Sequence, residues 1–290
     1  MSRRIAVRGV HYALREWGSG APLLLLHGFT GAAALWEPLA LAFAARHRVI
    51  AVDLLGHGAS DAPRAAARYG MAHAVADLAA LLDALRVERT ALLGYSLGGR
   101  VALGLAVEQP QRVGALVLES SSPGLAAPVE RAARRAADAT LAARLARDGL
   151  PAFVDAWMAQ PLFASQARLA PARRAAARAQ RLDNRIEGLA GSLRGLGSGA
   201  QPSYWPRLAA LPMPVLLLAG GLDAKFTGIA RAMRARIPRA ALRIVADAGH
   251  AVHLEQPQAY REAVSSFLAA APTLTDSRGA AAGRSLETRA

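Results

Sequence analysis

The chain of 290 residues contains no cysteine, and Lys225 is its only lysine. Without cysteine it can form no disulfide, no thiolate metal site and no cysteine nucleophile. Apolar runs are all far shorter than the roughly 20 residues that a membrane-spanning helix needs. A soluble cytoplasmic protein without membrane insertion is therefore the expectation.

The formal net charge of +14 raises the question of a nucleic-acid partner. The cations are nearly all arginine and are spread along an alanine-rich chain, as a GC-rich coding bias would produce. No basic stripe interleaved with aromatic residues is present, and no nucleic-acid-binding module is recognisable. We therefore expect no nucleic-acid partner. Binding of an anionic small molecule is the better explanation for the arginines.

A glycine-flanked serine follows the apolar run at 91–95, and a second apolar run follows it at once. The pattern predicts a strand, a sharp turn at Ser96 and a helix, with Gly94 and Gly98 small enough for strand and helix to pass closely. Such a turn exposes the serine hydroxyl above the edge of a sheet. It also directs the Leu97 amide toward the place where a negative oxygen would develop.

The residues before this serine predict two further buried strands, with a helix at 33–45 between them. The strand at 22–26 ends in a glycine-rich turn, where the Phe29 amide is the candidate for a second oxyanion donor. An ordinary strand-to-helix loop is the alternative reading of that turn. Asp53 ends the strand at 48–53, and His57 lies in the glycine-rich loop that follows. Both precede the serine, and we interpret both as structural.

Alternation of strands and helices up to residue 124 predicts a parallel sheet with right-handed crossovers. Residues 125–205 contain no strand candidate, only arginine-rich and alanine-rich helical stretches, and are interpreted as a helical cap over the site. The sheet pattern returns in 206–271, and the helix at 71–85 is expected to place Asp77 and Asp83 on its solvated face. Residues 272–290 are expected to form a disordered tail.

Two candidate partners for the serine follow later strands. Asp223 comes four residues after the strand at 214–219, and His250 comes five residues after the strand at 241–245. Nucleophile, acid and base in this chain order are what a nucleophile-elbow sheet requires of a catalytic triad. Asp247 is an alternative acid, but it lies in the same loop as His250 and is poorly placed to reach the far ring nitrogen. His253 is an alternative base, but it leads directly into a helix and is expected to shape the start of that helix.

These motifs resemble the α/β-hydrolase fold, a mostly parallel central sheet flanked by helices with an inserted helical cap. Finer motifs resemble one family within it, the 2-succinyl-6-hydroxy-2,4-cyclohexadiene-1-carboxylate synthases of menaquinone biosynthesis. They are the segments at 26–31, 94–100, 119–125, 160–163, 199–205 and 223–226. The resemblance implies a lyase that works without metal or organic cofactor. Its Ser-His-Asp triad initiates abstraction of a carbon-bound proton, and pyruvate is expelled.

The resemblance also implies residues that bind a substrate with several carboxylates. Arg100, Arg134 and Arg181 match the carboxylate-binding arginines, and Tyr95, Trp157 and Lys225 match further pocket residues. Neighbouring arginines remain as alternatives. Arg131 and Arg135 are alternatives to Arg134, and Arg178 and Arg185 are alternatives to Arg181.

Two other functions are compatible with the same residues. A serine hydrolase of a small ester or carbon-carbon bond would use the same triad with Ser96 as a covalent nucleophile. The third possible function is that of a basic binding protein whose hydrolase fold has lost its catalytic activity. An intact triad argues against it. Converging arginines favour the synthase, because hydrolases of apolar esters do not need them.

Overall fold

The computed structural model describes residues 2–271, so the expected tail at 272–290 lies outside the described residues. Eight strands form one sheet. Their bounds are β1 Ser2–Val7, β2 Val10–Trp17, β3 Ala21–Leu26, β4 His47–Val52, β5 Thr90–Tyr95, β6 Val113–Glu119, β7 Val215–Gly220 and β8 Ala240–Val245. The predicted buried strands are all present, with ends within about one residue of those expected.

The strand order is β1-β2-β4-β3-β5-β6-β7-β8. β1 and β2 pair antiparallel, β2 also pairs antiparallel with β4, and all later neighbours are parallel. A parallel sheet needs helical crossovers on its faces, which is why its central strands read as continuous apolar runs. The carboxyl ends of β3, β5, β7 and β8 consequently meet at one edge of the sheet.

Helices cover both faces of the sheet. Within β3, Leu24 and Leu26 pack into one apolar cluster while Leu23 and Leu25 pack into the other. The core helices are α1 Glu37–Phe43, α2 Met71–Ala84, α3 Leu97–Glu108, α7 Ala224–Arg234, α8 Val252–Glu255 and α9 Pro257–Ala270. No helix among residues 2–271 is long and apolar enough to cross a membrane.

The elements between β6 and β7 are all helical. They are α4 Pro128–Met158, a 3₁₀ segment Pro161–Arg168, α5 Pro171–Leu182, α6 Ile186–Leu196 and a 3₁₀ segment Trp205–Ala210. α4 kinks at Gly149, whose φ of +80° favours glycine, two residues before Pro151. Beyond the kink Phe153 is buried against Leu189 and Leu193 of α6, which gives this region a small apolar core of its own.

Two local expectations were wrong. Asp77 is fully buried, because Tyr12 and Arg68 donate hydrogen bonds to its carboxylate from the first strands and the loop before α2. Periodicity within α2 could not reveal those partners, which lie outside the helix. The helix expected at 33–45 is divided into a 3₁₀ turn, Ala33–Trp36, and α1, which has Pro38 in its first turn.

Candidate active site

Ser96 lies between β5 and α3 in a strained backbone conformation, with φ +50° and ψ −107°. Glycine is required on both sides of it. A Cβ at Gly94 would lie 2.5 Å from the Gly98 carbonyl oxygen, and a Cβ at Gly98 would lie 2.3 Å from the Leu26 carbonyl oxygen. The close approach of β3, β5 and α3 therefore fixes the turn that exposes the serine.

A continuous hydrogen-bonded chain joins the predicted acid, base and nucleophile. His250 Nε2 lies 3.1 Å from Ser96 Oγ, and His250 Nδ1 lies 2.7 Å from Asp223 Oδ2. The other carboxylate oxygen, Oδ1, accepts a hydrogen bond from the Phe226 amide in the first turn of α7. This holds Asp223 facing the imidazole, so the arrangement can take the Ser96 proton and stabilise the resulting imidazolium.

The two rival residues have other surroundings. Asp247 is exposed, and its carbonyl oxygen accepts a hydrogen bond from Arg168 of the cap. His253 is buried and its Nδ1 lies 2.8 Å from Oε1 of Glu119, which is itself buried at the end of β6. His253 is therefore engaged by a carboxylate of its own and does not reach Ser96.

The Leu97 and Phe29 amides are the predicted donors of an oxyanion hole. Leu97 begins α3, so its N–H has no partner within the helix. Phe29 is the third residue after β3, and among the described residues its amide donates no hydrogen bond to another backbone group. Both residues line the cavity that contains Ser96.

That cavity has a volume of about 420 Å³ and lies between the carboxyl edge of the sheet and the helices that follow β6. Every side chain implied as substrate-binding lines it, together with Ser96 and His250: Tyr95, Arg100, Arg134, Trp157, Arg181 and Lys225. Asp223 lies behind the imidazole and lines a different, outer depression.

Arg100 carries a positive charge into the cavity from the first turn of α3. Its Nη1 donates to the Leu196 carbonyl oxygen at 2.6 Å and to Gln201 Oε1 at 3.2 Å, both neutral acceptors. Burial, and then the nearby Arg134 cation, lower the pKa of Arg100 to about 10. The guanidinium is charged at neutral pH and would gain from an added carboxylate.

Arg181 of α5 is buried in the same cavity. Its Nη1 donates to the Ala177 carbonyl oxygen, while its Nε is buried and has no hydrogen-bond partner among residues 2–271. Burial lowers the pKa of Arg181, and the Tyr95 side chain opposes that shift. A buried guanidinium with an unused donor is costly unless a ligand supplies the acceptor.

Arg134 of α4 is the third cation of the cavity, and it is partly neutralised. Its Nε and Nη2 both lie within 2.9 Å of Asp138 Oδ1, one helical turn further on. The rival arginines bind elsewhere: Arg131 to the Leu125 carbonyl, Arg135 to Gly199, Arg178 to Asp155 and Arg185 to the Ser60 carbonyl. Of the cap arginines in question, only Arg134 and Arg181 therefore line the cavity.

The remaining implied residues shape its walls. The Trp157 ring packs 5.0 Å from the Phe29 ring, and the Tyr95 ring lies 5.5 Å from that of His250. Burial raises the pKa of the Tyr95 phenol well above its usual value, so Tyr95 remains a neutral hydroxyl. Lys225 is exposed at the margin, with its ammonium 5.7 Å from the Phe226 ring.

Two carboxylates near the site were not anticipated from the sequence. Glu255 accepts hydrogen bonds from the amides of Gly249 and Ala251, which flank His250 and so fix its loop. Asp138 holds Arg134 from one helical turn away. The Arg134–Asp138 pair could have been predicted from the sequence, because a carboxylate four residues after an arginine in a helix lies beside it.

Asp53 and His57 have the structural surroundings that the sequence suggested. The Asp53 carboxylate accepts from the amides of Ala33 and Ala59, which closes the loop after β4. His57 is fully buried beside His27, and desolvation lowers the pKa of His57 to about 3 and that of His27 to about 4. Both imidazoles are neutral at physiological pH and are not part of the triad.

Residues 2–271 contain no cluster of three or more histidine and carboxylate side chains able to hold a metal ion.

Comparison with known proteins agrees with this geometry. A family model described as alpha/beta hydrolase fold matches residues 21–257. A protein of Bacillus subtilis (strain 168), provisionally named 2-succinyl-6-hydroxy-2,4-cyclohexadiene-1-carboxylate synthase, is 45% identical over 90% of this chain and 95% of its own. The synthase of that name from Salmonella schwarzengrund (strain CVM19633) is 35% identical over 86% of this chain and 94% of its own.

Solved structures of other proteins share this fold. MenH from S. aureus superposes with a TM-score of 0.85 at 32% identity, covering 89% of this chain and 97% of that one. A thermophilic esterase from Thermogutta terrifontis has a TM-score of 0.81 at 28% identity, over 93% and 98% of the two chains. The chain therefore belongs to the α/β-hydrolase fold family and, within it, to the family of 2-succinyl-6-hydroxy-2,4-cyclohexadiene-1-carboxylate synthases.

Proposed function

We propose that the protein eliminates pyruvate from 2-succinyl-5-enolpyruvyl-6-hydroxy-3-cyclohexene-1-carboxylate to give 2-succinyl-6-hydroxy-2,4-cyclohexadiene-1-carboxylate. The observation that carries the proposal is a Ser-His-Asp chain that opens into one cavity with three guanidinium groups. Several carboxylates on the substrate account for the guanidinium groups, which bind carboxylates through paired hydrogen bonds. A hydrolase acting on an apolar ester leaves them without a purpose.

The change in the ring defines the chemistry that the site must perform. A proton leaves the ring carbon that bears the succinyl ketone, and the electrons shift through the ring double bond to form the diene. The carbon–oxygen bond to the enolpyruvyl group breaks, and the departing enol takes up a proton to become pyruvate. The step needs a base, a stabiliser of enolate charge and a proton donor.

The triad residues supply the base and the proton donor. His250 accepts the Ser96 proton across 3.1 Å, and the Ser96 oxygen then removes the ring proton and returns to its neutral form. Asp223, 2.7 Å from the other ring nitrogen, stabilises the imidazolium. The imidazolium proton is available for the enolpyruvyl carbon, and no covalent Ser96 intermediate is formed.

The backbone amides of Phe29 and Leu97 stabilise the enolate oxygen that develops on the succinyl ketone. Arg100 and Arg181 bind substrate carboxylates, and Arg134 assists them while held by Asp138. A polycarboxylate does not cross a bilayer unaided, so the enzyme must share a compartment with the supplier of its substrate. We propose that this compartment is the cytoplasm.

The test is an assay of the purified protein with the enolpyruvyl cyclohexene substrate, following its loss and the release of pyruvate, beside a panel of nitrophenyl esters. Pyruvate release with little ester cleavage is expected. Ser96→Ala should lower turnover by about 10³-fold or more, as loss of a triad member does. Ester cleavage without pyruvate release would instead establish the serine hydrolase alternative, with Ser96 as a covalent nucleophile.

A further inference from the structure

A second cavity, of about 570 Å³, lies between cap helix α5 and the core helices α1 and α9. α5 is joined to the core near its carboxyl end, where Gln180 and Asn184 donate to the Thr30 carbonyl oxygen. Before that point α5 borders the second cavity, which Leu169, Arg173 and Ala176 line from the cap side. We call this space the α5 groove.

The α5 groove adjoins the catalytic cavity. Leu35, His253 and Leu254 line both spaces. The His253 side chain is bound to Glu119, but Leu35 and Leu254 are only half-buried. Two leucine side chains that can change rotamer are therefore part of the wall between the groove and the reacting groups, and such motions are fast compared with turnover.

Arginines extend along the α5 groove from solvent to the catalytic cavity. Arg173, Ala177 and Arg181 are spaced by four residues and so share one face of α5. Arg173 is exposed and lines the groove, whereas Arg181, about 12 Å further along the helix axis, is buried in the catalytic cavity. Arg261 of α9 faces the groove from the core side.

The two outer arginines are available to a ligand. Arg173 and Arg261 are exposed, and neither forms a hydrogen bond or ion pair among residues 2–271. Most other residues of the groove are apolar, including Pro38, Leu169 and Pro257. An apolar wall with cations at its outer part suits a molecule that has a hydrocarbon ring and carboxylates.

We propose that the α5 groove is the route by which the polycarboxylate substrate enters the catalytic cavity, guided by Arg173 and Arg261 and received by Arg181. The proposal rests on the proposed function, which supplies the occupant. Positive charge along an approach path raises the local concentration of an anion and its association rate, and salt weakens the effect. An entry route differs from a binding site in that obstruction slows entry and exit together.

The first test narrows the route without changing charge. Ala176 is exposed and lines the α5 groove, while Ala179 is exposed on the same helix and does not line it. Ala176→Phe and Ala179→Phe are compared in a Ser96→Ala background, with fluorescence of the tryptophans, including Trp157, reporting substrate binding in a stopped-flow instrument. Ala176→Phe should slow both association and dissociation by about fivefold and leave Kd unchanged, whereas Ala179→Phe should have no effect.

The second test removes charge. Arg173→Gln/Arg261→Gln should lower the association rate by about tenfold at low ionic strength, with the difference shrinking as salt is added. Arg46→Gln/Arg89→Gln is the matched control. It removes the same charge from two exposed arginines that precede β4 and β5, at the opposite edge of the sheet.

The outcomes separate the two proposals. If the unaltered chain binds the substrate and releases pyruvate while Ala176→Phe and the groove double variant keep unaltered rate constants, the entry route is refuted and the proposed function stands. Equal effects of the two charge pairs would also refute the route, since they would reflect net charge alone. If the Ser96→Ala protein binds no substrate and the unaltered chain releases no pyruvate, both proposals fail.

Discussion

Individual residues of the cavity differ in how their charge is compensated, and this decides what each can contribute. Arg134 has a carboxylate partner, Arg100 has two neutral acceptors, and Arg181 has one carbonyl and an unused Nε. The residues without a counterion gain most from a substrate carboxylate. Sequence motifs indicated all three arginines but not this ranking, which depends on contacts between distant segments.

Arg100→Ala should act on catalysis through loss of a charge-assisted carboxylate contact. The expected cost is about 2–4 kcal/mol in kcat/KM, or roughly 30-fold to 10³-fold. Steady-state kinetics of pyruvate release provide the measurement, with Arg144→Ala on the exposed face of α4 as the control. Unchanged kinetics of Arg100→Ala on the anionic substrate would contradict the role of the arginines.

Arg181→Met should separate stability from activity. This guanidinium is buried and its Nε has no partner in the part of the chain that the structure describes, so an apolar side chain of similar length should stabilise the fold by about 1–3 kcal/mol. The same change removes a carboxylate ligand and should raise KM. Urea unfolding and steady-state kinetics on one preparation test both effects, and a less stable variant would show that Arg181 is structural.

At the level of secondary-structure elements, the turn between β5 and α3 carries the tightest constraint. Gly98→Ala would place a Cβ 2.3 Å from the Leu26 carbonyl oxygen and should destabilise the protein by several kcal/mol, about 3 or more, and displace Ser96. Gly228→Ala is the matched control. Apart from its chain neighbours and the adjacent backbone of α7, no heavy atom of the described residues lies within 4 Å of the new Cβ, so this change should stabilise the protein by about 0.5–1 kcal/mol.

Thermal unfolding and pyruvate release would be measured on both glycine variants. Only Gly98→Ala should lose activity along with stability. A Gly98→Ala protein with normal turnover would mean that the elbow tolerates a wider separation of β3 and α3 than the described geometry allows.

Elements of the sheet were predictable because buried parallel strands and their terminal turns leave local signals. The strands ending near Ser96 and Asp223 each read as an apolar run followed by glycine or a polar residue, and a parallel sheet brings such ends together. The strand before His250 was weaker in pattern, since Arg243 interrupts it and it is partly exposed. For the helices after β6, the sequence predicted only that they are helical. Which face of α4 or α5 turns inward depends on tertiary packing, so Arg134 and Arg181 could not be separated from their neighbours by periodicity.

Over the whole molecule, buried polar groups explain where sequence reasoning succeeded and failed. Asp53 and His57 were correctly interpreted as structural from their place before the serine. Asp77 and Glu119 were not recognised as buried partners, since Arg68 and His253 approach them from other parts of the chain. Such pairs are visible only once the topology is fixed.

The buried histidines make the stability of the whole fold depend on pH. His27 accepts the Leu54 amide on Nε2 and its Nδ1 lies 2.8 Å from the Gly28 carbonyl oxygen, which is the neutral form. The folded pKa values, about 4 for His27 and about 3 for His57, lie below the unfolded value of about 6.5. The unfolded chain therefore binds more protons between pH 6.5 and 4, and stability falls as pH falls through that window.

Each imidazole should lower the free energy of unfolding by about 1.4 kcal/mol per pH unit below 6.5. Urea unfolding at pH 7.5, 6.0 and 5.0 measures the slope. His57→Gln should reduce it by about 1.4 kcal/mol per pH unit and leave the contributions of His27 and of His47, whose pKa burial also lowers. The carboxylates add their own acid dependence mainly below about pH 5, nearer their ordinary pKa values, so the comparison between variants at pH 6.0 isolates the histidines. A slope that His57→Gln does not change would mean that the imidazole is accessible to protons in the folded chain.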